Sequence, residues 1–350
     1  MSTGIRNILL PFSALYGGVV TLRNFGYDTK VFKSQRLPVP VISVGNISVG
    51  GSGKTPFVMF LIEKLLALGK KPAVLSRGYK RMTDELVISC PSKGAEVDVQ
   101  LIGDEPALIS QTFPDVPVGV EKDRHRAGLE ILKHHPVDVF VLDDGLQNRE
   151  LHRDIDFVLI GRSLQDLKDH YLPAGNLRDS KRRISQSDII VLTSHNVTEP
   201  VDSSLNGLNR YSGIPTAGIS FVPSHFVDRV GVSHPLDTLA GKEVAAFCGI
   251  AHPDQFFKGI ESIGAKLIYT KTFRDHHWFD EYDIDEIFGG NEDLISVTTA
   301  KDAVRIFIDE ELSEAEEVKR ILALHEKAVV NFGEEHIDGI LSKVFGGVYA

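Results

Sequence analysis

Residues Val41–Pro56 read VISVGNISVGGSGKTP, and the fold hangs on them. The apolar, β-branched run Val39–Val44 fits a buried strand. Gly50, Gly51, Ser52 and Gly53 follow, then Lys54 and Thr55. A helical period then runs over Pro56–Leu68, stopped by Gly69 and a Lys-Lys-Pro segment. Strand, glycine-rich turn, Lys-Thr and helix are the context that a phosphate-binding loop requires. The glycines let backbone N–H groups turn around a β-phosphate, and the helix adds its positive end. Lys54 would reach the β- and γ-phosphates, and the Thr55 hydroxyl would ligate Mg²⁺. The usual G-x-x-x-x-G-K-[ST] pattern wants glycine at position 48, where this chain has Ser48. A glycine-rich turn without a ligand is the plain alternative; Lys-Thr at the right offset favours nucleotide.

Outward from this loop the chain alternates. Strands are expected at Pro72–Ser76, Val116–Val120, Val137–Leu142, Asp156–Ile160, Asp188–Leu192 and Thr216–Val222, and helices at Glu105–Thr112 and Asp123–His134. Glu85–Ser89 and Val97–Ile102 look like a hairpin around CPSKGAE. Residues 194–213 turn polar. A second unit follows: strand Val244–Cys248, helix Pro253–Ile263, strand Lys266–Tyr269, strand Leu294–Val297 and a helix from Ala300. The expected fold is α/β: a P-loop, mostly parallel sheet with helices on both faces (residues 1–225) plus a smaller α/β domain (226–350).

The bulk properties narrow the function. The 350 residues carry a formal net charge of -10, with 42% hydrophobic and 25% charged residues. That argues against nucleic acid as a partner, and against a disordered or membrane-embedded chain. Two distant cysteines, Cys90 and Cys248, make no disulfide framework or metal spacing. No obligate protein partner is evident. The charge is uneven: residues 1–40 hold Arg6, Arg23, Lys30, Lys33 and Arg36 against Asp28 alone. Between Arg6 and Arg23 lies the uncharged NILLPFSALYGGVVTL, interrupted by Pro11 and Gly17-Gly18 and short for a bilayer span. It offers no signal-peptide cleavage site. A helix over about 1–24 in the membrane interface would present Ile8, Leu9, Phe12, Leu15, Tyr16 and Val19 to lipid. An ordinary packed helix fits this segment as well.

Further constellations could carry the chemistry. VDVFVLDDG ends an apolar strand in Asp143-Asp144, the form of an acidic strand that holds Mg²⁺. LIGDEPAL places Asp104 and Glu105 where a base for an acceptor hydroxyl is needed, although an acidic helix cap reads the same. TFRDHHWF packs Arg274, Asp275, His276 and His277 into one loop, where a histidine could orient a carboxylate or be merely polar. YLPAGNLRDSKRR carries Arg178, Lys181, Arg182 and Arg183, a solvated helix end or a site for an anion. The guanine-reading Asn/Thr-Lys-x-Asp pattern is absent at the required spacing.

Several strings, in order along nearly the whole chain, resemble one family: LLPFSALYG, SVGNISVGGSGKTP, LSRGYKR, IGDEPALI, VGVEKDRHRAG, VLDDGLQ, LPAGNLRD, FCGIAHPDQFF, FRDHH and TTAKDAVRI. The family is tetraacyldisaccharide 4'-kinase, a membrane-associated enzyme of lipid A synthesis in Gram-negative bacteria. Its loop has this GG-x-GKTP form. The resemblance implies transfer of the γ-phosphate of ATP to the 4'-hydroxyl of a tetraacyldisaccharide 1-phosphate, giving lipid IVA, with Mg²⁺. It implies a peripheral position on the cytoplasmic face of the inner membrane, which turns the N-terminal helix toward the interfacial alternative. It further implies Lys54 on the phosphates, Asp104 as base assisted by His276, and Thr55, Glu105, Asp143 and Asp144 for metal or phosphate. Tyr79 and Arg178 would touch the acceptor, with Arg124 and Gln147 nearby. The chain departs at Asp179-Ser180, where Glu-Pro is expected, which puts a carboxylate role of residue 179 in doubt. It departs again at Ala300, where Thr-Glu-Lys-Asp is usual, with an effect expected only on a helix start. Two other functions compete: a partner-switching P-loop ATPase, against which Val49 stands where a signature lysine belongs, and a kinase of a soluble metabolite, which needs no basic apolar N-terminus.

Overall fold

The structure is a computed structural model that describes residues 3–94, 97–161, 163–164, 167–195, 201, 206–291 and 293–346. Its elements are α1 (Thr3–Asp28), β1 (Val41–Gly45), α2 (Lys54–Ala67), β2 (Pro72–Ser76), β3 (Val87–Ser89), α3 (Val99–Ile102), α4 (Asp104–Thr112), β4 (Val118–Val120), α5 (Arg124–His134), β5 (Val139–Asp143), β6 (Ile155–Gly161), β7 (Ile189–Ser194) and β8 (Thr216–Val227). Then come β9 (Ser233–Pro235), β10 (Glu243–Cys248), α6 (Pro253–Ser262), β11 (Lys266–Thr272), α7 (Glu281–Phe288), β12 (Ile295–Thr299), α8 (Ala300–Phe307), α9 (Glu310–Ser313), β13 (Ile321–Phe332) and α10 (Glu334–Val344).

The strands form one sheet in the order β11-β10-β12-β13-β8-β7-β6-β1-β5-β2-β4-β3, with β9 beside β8. β1 pairs in parallel with β5 on one side and β6 on the other. Every residue of β1, β2, β5 and β7 is buried, as strands covered on both faces require. α2 covers one face through Phe57, Val58, Leu61, Ile62 and Leu65, and the Phe57 ring meets Phe157 of β6 at 5.3 Å. Each such fully buried side chain contributes roughly 1.5–3 kcal/mol. The loop after β1 thus emerges at the carboxyl edge of the sheet, beside the end of β5.

Two long antiparallel strands, β8 and β13, join this sheet to the parallel trio β10, β11 and β12. Residue 225 lies inside β8. The trio has its own apolar clusters, around Phe247, Ile284 and Ile306 and around Ala246, Ile260 and Leu324.

Two expectations fail. Val97–Ile102 is no strand: Asp98 caps a helical turn by accepting from the backbone N–H groups of Gln100 and Leu101. β3 instead pairs antiparallel with β4, with a 3-10 turn at Pro91–Lys93 where the hairpin was expected. Ala95 and Glu96 of that hairpin, and 196–200 and 202–205 of the polar stretch, lie outside the described residues. The N-terminal helix is also longer than expected. It runs unbroken through Pro11 and the glycine pair for 26 residues, about 39 Å.

α1 packs on the large lobe by its polar and small residues. Ser13 Oγ donates to Tyr171 O at 2.8 Å and accepts from Ala174 N at 2.9 Å, and Gly17 lies flat against the Tyr171 ring. Tyr16 turns inward to donate to Arg178 O at 3.2 Å, so it leaves the apolar face where it was expected. Asn24 donates to the fully buried Asp179 at 2.7 Å, and Arg149 bonds Asn24 O. Ile8, Phe12, Leu15, Val19, Leu22 and Phe25 form the outer stripe, each at least 60% exposed. A helix that docks by its polar edge and shows its apolar edge outward is inverted relative to a soluble amphipathic helix. By length and composition it could cross a bilayer, and 22% of its apolar window is buried.

Candidate active site

The phosphate loop is held open by its own sequence. Gly53 caps α2 with φ 74°, a left-handed backbone that glycine adopts without strain, and a Cβ there would collide with the Phe221 ring. No side chain caps α2, so its first-turn N–H groups face the loop. Asn46, buried after β1, donates to Ser52 Oγ at 2.9 Å, and Thr193 Oγ1 donates to Ser52 O at 3.0 Å. Gly51 faces Ala251 and His252 of the smaller lobe, whose loop overhangs the cradle.

Lys54 Nζ lies 3.4 Å from Asn46 Oδ1 and 3.6 Å from Asp144. The Arg178 guanidinium grips both Asp144 oxygens, one at 2.7 Å, and also bonds Asn46 Oδ1. Burial opposes ionisation of Asp144, but Lys54 and Arg178 overcome it and hold the carboxyl well below the usual range. The φ of Asp144, 51°, lies in the left-handed region that few residues other than glycine adopt. Its neighbour Asp143 is pushed up to about 6 by burial and by the charge of Asp144. Ser76 Oγ reaches Asp143 at 3.3 Å. Arg124 is buried at the start of α5. Burial and the nearby Arg77 bring its pKa down to about 10, and its Nε has no partner among the described residues.

The second cluster is assembled from both lobes. Asp104 opens α4 behind Gly103, and the loop after β11 delivers His276, whose φ is 62°. His276 Nδ1 stands 2.8 Å from Asp104 Oδ2. Lys301 Nζ stands 2.9 Å from Glu105 Oε1, 3.3 Å from His276 Nε2, and 3.7 Å from both Asp104 and Asp275. Arg305 Nη1 also bonds Asp104, and its other arm bonds Asp302. Burial opposes ionisation of Asp104, but His276 and Lys301 hold its carboxyl low; Glu105 moves up through burial and through Asp104 beside it. The Tyr79 ring, 58% exposed, leans over His276 at 5.3 Å between centroids and forms the mouth.

Lys301 and Arg305 were not foreseen. The departure at Ala300 does sit at a helix start, since Thr299 caps α8, but the residue after it points into the site. A signal existed: Lys301 follows the carboxyl end of a parallel strand. Other expected residues take structural posts. Gln147 Nε2 donates to Asn46 O at 2.9 Å and lies 3.4 Å from Asp179, behind the loop. His277 pairs with Asp283 at 2.7 Å and stacks on Phe273. Arg183 is buried against Asp156 and Gln186. Asp179 accepts from Asn24 and is a buried joint between α1 and the site.

A mostly parallel sheet, a lysine-bearing phosphate loop, an acid-tipped β5 and a carboxylate–imidazole pair define a P-loop phosphotransferase. A family model described as tetraacyldisaccharide-1-P 4'-kinase (LpxK) matches residues 5–345. The tetraacyldisaccharide 4'-kinase of Aquifex aeolicus is 39% identical over 302 residues, 86% of this chain and 90% of that one. That of Syntrophus aciditrophicus is 37% identical over 328 residues, 87% of this chain and 86% of that one. The crystal structure of Aquifex aeolicus LpxK, described as an "apo" form in complex with ATP, superposes with a TM-score of 0.79 at 35% identity, covering 97% of this chain and 99% of that one. The chain belongs to the tetraacyldisaccharide-1-P 4'-kinase family.

Proposed function

We propose that this protein transfers the γ-phosphate of ATP to the 4'-hydroxyl of a tetraacyldisaccharide 1-phosphate, forming lipid IVA. The observation that carries this is the presence in one sheet-built unit of an uncapped, lysine-bearing phosphate loop and the Asp104–His276 couple. The 4'-oxygen attacks the γ-phosphorus, the bond to the bridging β–γ oxygen breaks, and ADP leaves. The hydroxyl proton goes to Asp104. His276, hydrogen-bonded to Asp104, orients the carboxylate that accepts it. Lys54 and the α2 N-terminus neutralise phosphate charge, and catalysis is mostly positioning. Tyr79 and Arg124 are assigned to the acceptor side, whereas Arg178, expected there, is bonded to Asp144 and Asn46 at the phosphate loop. The exposed phenol at the mouth and the under-partnered buried guanidinium support the first two.

Asp143 fits a divalent cation: it is a buried carboxylate whose ionised form lacks a nearby positive hydrogen-bond donor among the described residues. Mg²⁺ there, held with Asp144 and the Thr55 hydroxyl, would supply charge neutralisation between the β- and γ-phosphates. Glu105, the other expected ligand, already has a cation in Lys301. The lobes 1–225 and 226–350 are taken as units that close over the site; the clusters around Phe247 and Ala246 lie wholly in the second, although Val304, Ile337, Ile340 and Leu341 pack into the core of the first. The exposed stripe of α1 is assigned to the cytoplasmic surface of the inner membrane, as its inverted docking supports.

The test is transfer of radiolabelled γ-phosphate to the disaccharide lipid. Labelled lipid supports the proposal; ATP hydrolysis without labelled lipid selects a P-loop ATPase, and transfer to soluble sugars alone selects a metabolite kinase.

A further inference from the structure

Asp104, Glu105 and His276 each bring a ligand atom within 4.8 Å of the other two, a grouping that could hold a metal ion. The position is already taken. Lys301 Nζ sits against all three, 2.9 Å from Glu105, 3.3 Å from His276 Nε2 and 3.7 Å from Asp104. An ammonium can only donate. His276 Nε2 must therefore accept, which puts the imidazole proton on Nδ1, where it donates to Asp104 Oδ2 at 2.8 Å. One lysine thus fixes the tautomer of the histidine, and with it the Asp104 oxygen that stays available to an acceptor hydroxyl. Lys301 comes from the start of α8 and Asp104 from the start of α4, so the contact also ties the smaller lobe to the larger. Lys301 is largely buried and hemmed by four groups, which holds its amine fixed.

We infer that Lys301 is a built-in cation of the acceptor subsite: it positions the Asp104–His276 couple for phosphoryl transfer and keeps divalent metal out of the Asp104–Glu105–His276 triad, leaving metal to the Asp143–Asp144 side. The first half rests on the kinase function proposed above; the second does not. Hydrogen-bonded neighbours that orient a working group typically cost 10–100-fold when removed.

Two measurements on the full chain test this. In the lipid phosphorylation assay, Lys301→Met lowers kcat about 10–100-fold, leaves KM for ATP within about threefold, and Lys301→Arg restores most of the rate. A fall matched by a rise in KM for ATP, or no rescue by arginine, overturns positioning. If wild type labels no lipid, the kinase function fails and this arm reports that instead. The second arm needs no turnover. Calorimetric titration of nucleotide-free protein with Zn²⁺ shows one site in Lys301→Met beyond the wild-type count, and Lys301→Met/His276→Ala loses it. Equal counts in wild type and Lys301→Met overturn metal exclusion. Circular dichroism checks folding; should the methionine variant not fold, Lys301→Gln replaces it in both arms.

Discussion

Two pairs of adjacent acids line the carboxyl edge of the sheet, and they are built in opposite ways. Asp143 and Asp144 end β5, and their cations Lys54 and Arg178 come from the same lobe. Asp104 and Glu105 begin α4, and the groups that hold them, His276, Lys301 and Arg305, all come from beyond β8. In each pair one carboxyl is held low and its neighbour is pushed up. The first pair is therefore complete before the lobes meet, whereas the second exists only where they meet. The proposed nucleotide side is assembled within one lobe. The acceptor side depends on long-range assembly.

The comparison breaks most sharply on Asp104. Asp104→Ala lowers kcat by about 10²–10⁴-fold and leaves ATP affinity nearly intact, measured by lipid labelling and by nucleotide titration. Lys54→Ala should do the reverse in rank and weaken ATP binding first. Equal losses of ATP affinity in both would merge the two sides into one.

Asp143 gives a subtler test through pH. Burial and Asp144 push its folded pKa up to about 6, above the ordinary aspartate value of 3.8. Ionised Asp143 thus costs folded-state stability, a cost absent below about pH 4, growing between there and pH 6, and complete above. Asp143→Asn stabilises the nucleotide- and metal-free protein at pH 8 by up to roughly 3 kcal/mol, with no gain at pH 4, read by denaturant melts. The same variant loses the stabilisation that Mg²⁺ gives wild type. A destabilisation of equal size at both pH values would show that Asp143 is merely a packed core group.

The smallest effect on turnover is expected at α1. Phe12, Leu15 and Val19 are 60–69% exposed, so replacing all three by serine shifts the melting midpoint little. It should lower the fraction that sediments with anionic liposomes and spare the rate on detergent-dispersed lipid. An unchanged bound fraction would return α1 to the status of an ordinary surface helix.

The nucleotide side was legible because its strands are covered on both faces and read as unbroken apolar runs. The loop, Asp143 and Asp144 all sit within a turn of such a run. The long strand β13 was not, because Glu326, Lys327 and Asn331 interrupt it and it pairs antiparallel with one face half open. α3 misled for a local reason: VQLI has strand composition, and only the Asp98 side chain makes it a helical turn. The role of Lys301 was missed for a topological reason, although its place after a strand end was legible. Lys301 lies 196 residues after Glu105, and no local pattern encodes which lobe will complete a site. Pro11 and the glycines suggested a break in α1, but the helix is continuous, its inner edge fastened to the lobe by Ser13, Tyr16 and Asn24.

Arg178 links α1 to the phosphate loop. Its backbone carbonyl accepts from Tyr16 on α1, while its guanidinium grips Asp144 at the phosphate loop. One residue therefore separates the helix assigned to the bilayer from the nucleotide side of the cleft. In the orientation proposed for α1, with its outer stripe on lipid, the phosphate loop would stand one helix and one residue from the bilayer. A lipid acceptor need raise only its sugar to be reached, and its acyl chains can stay where they dissolve.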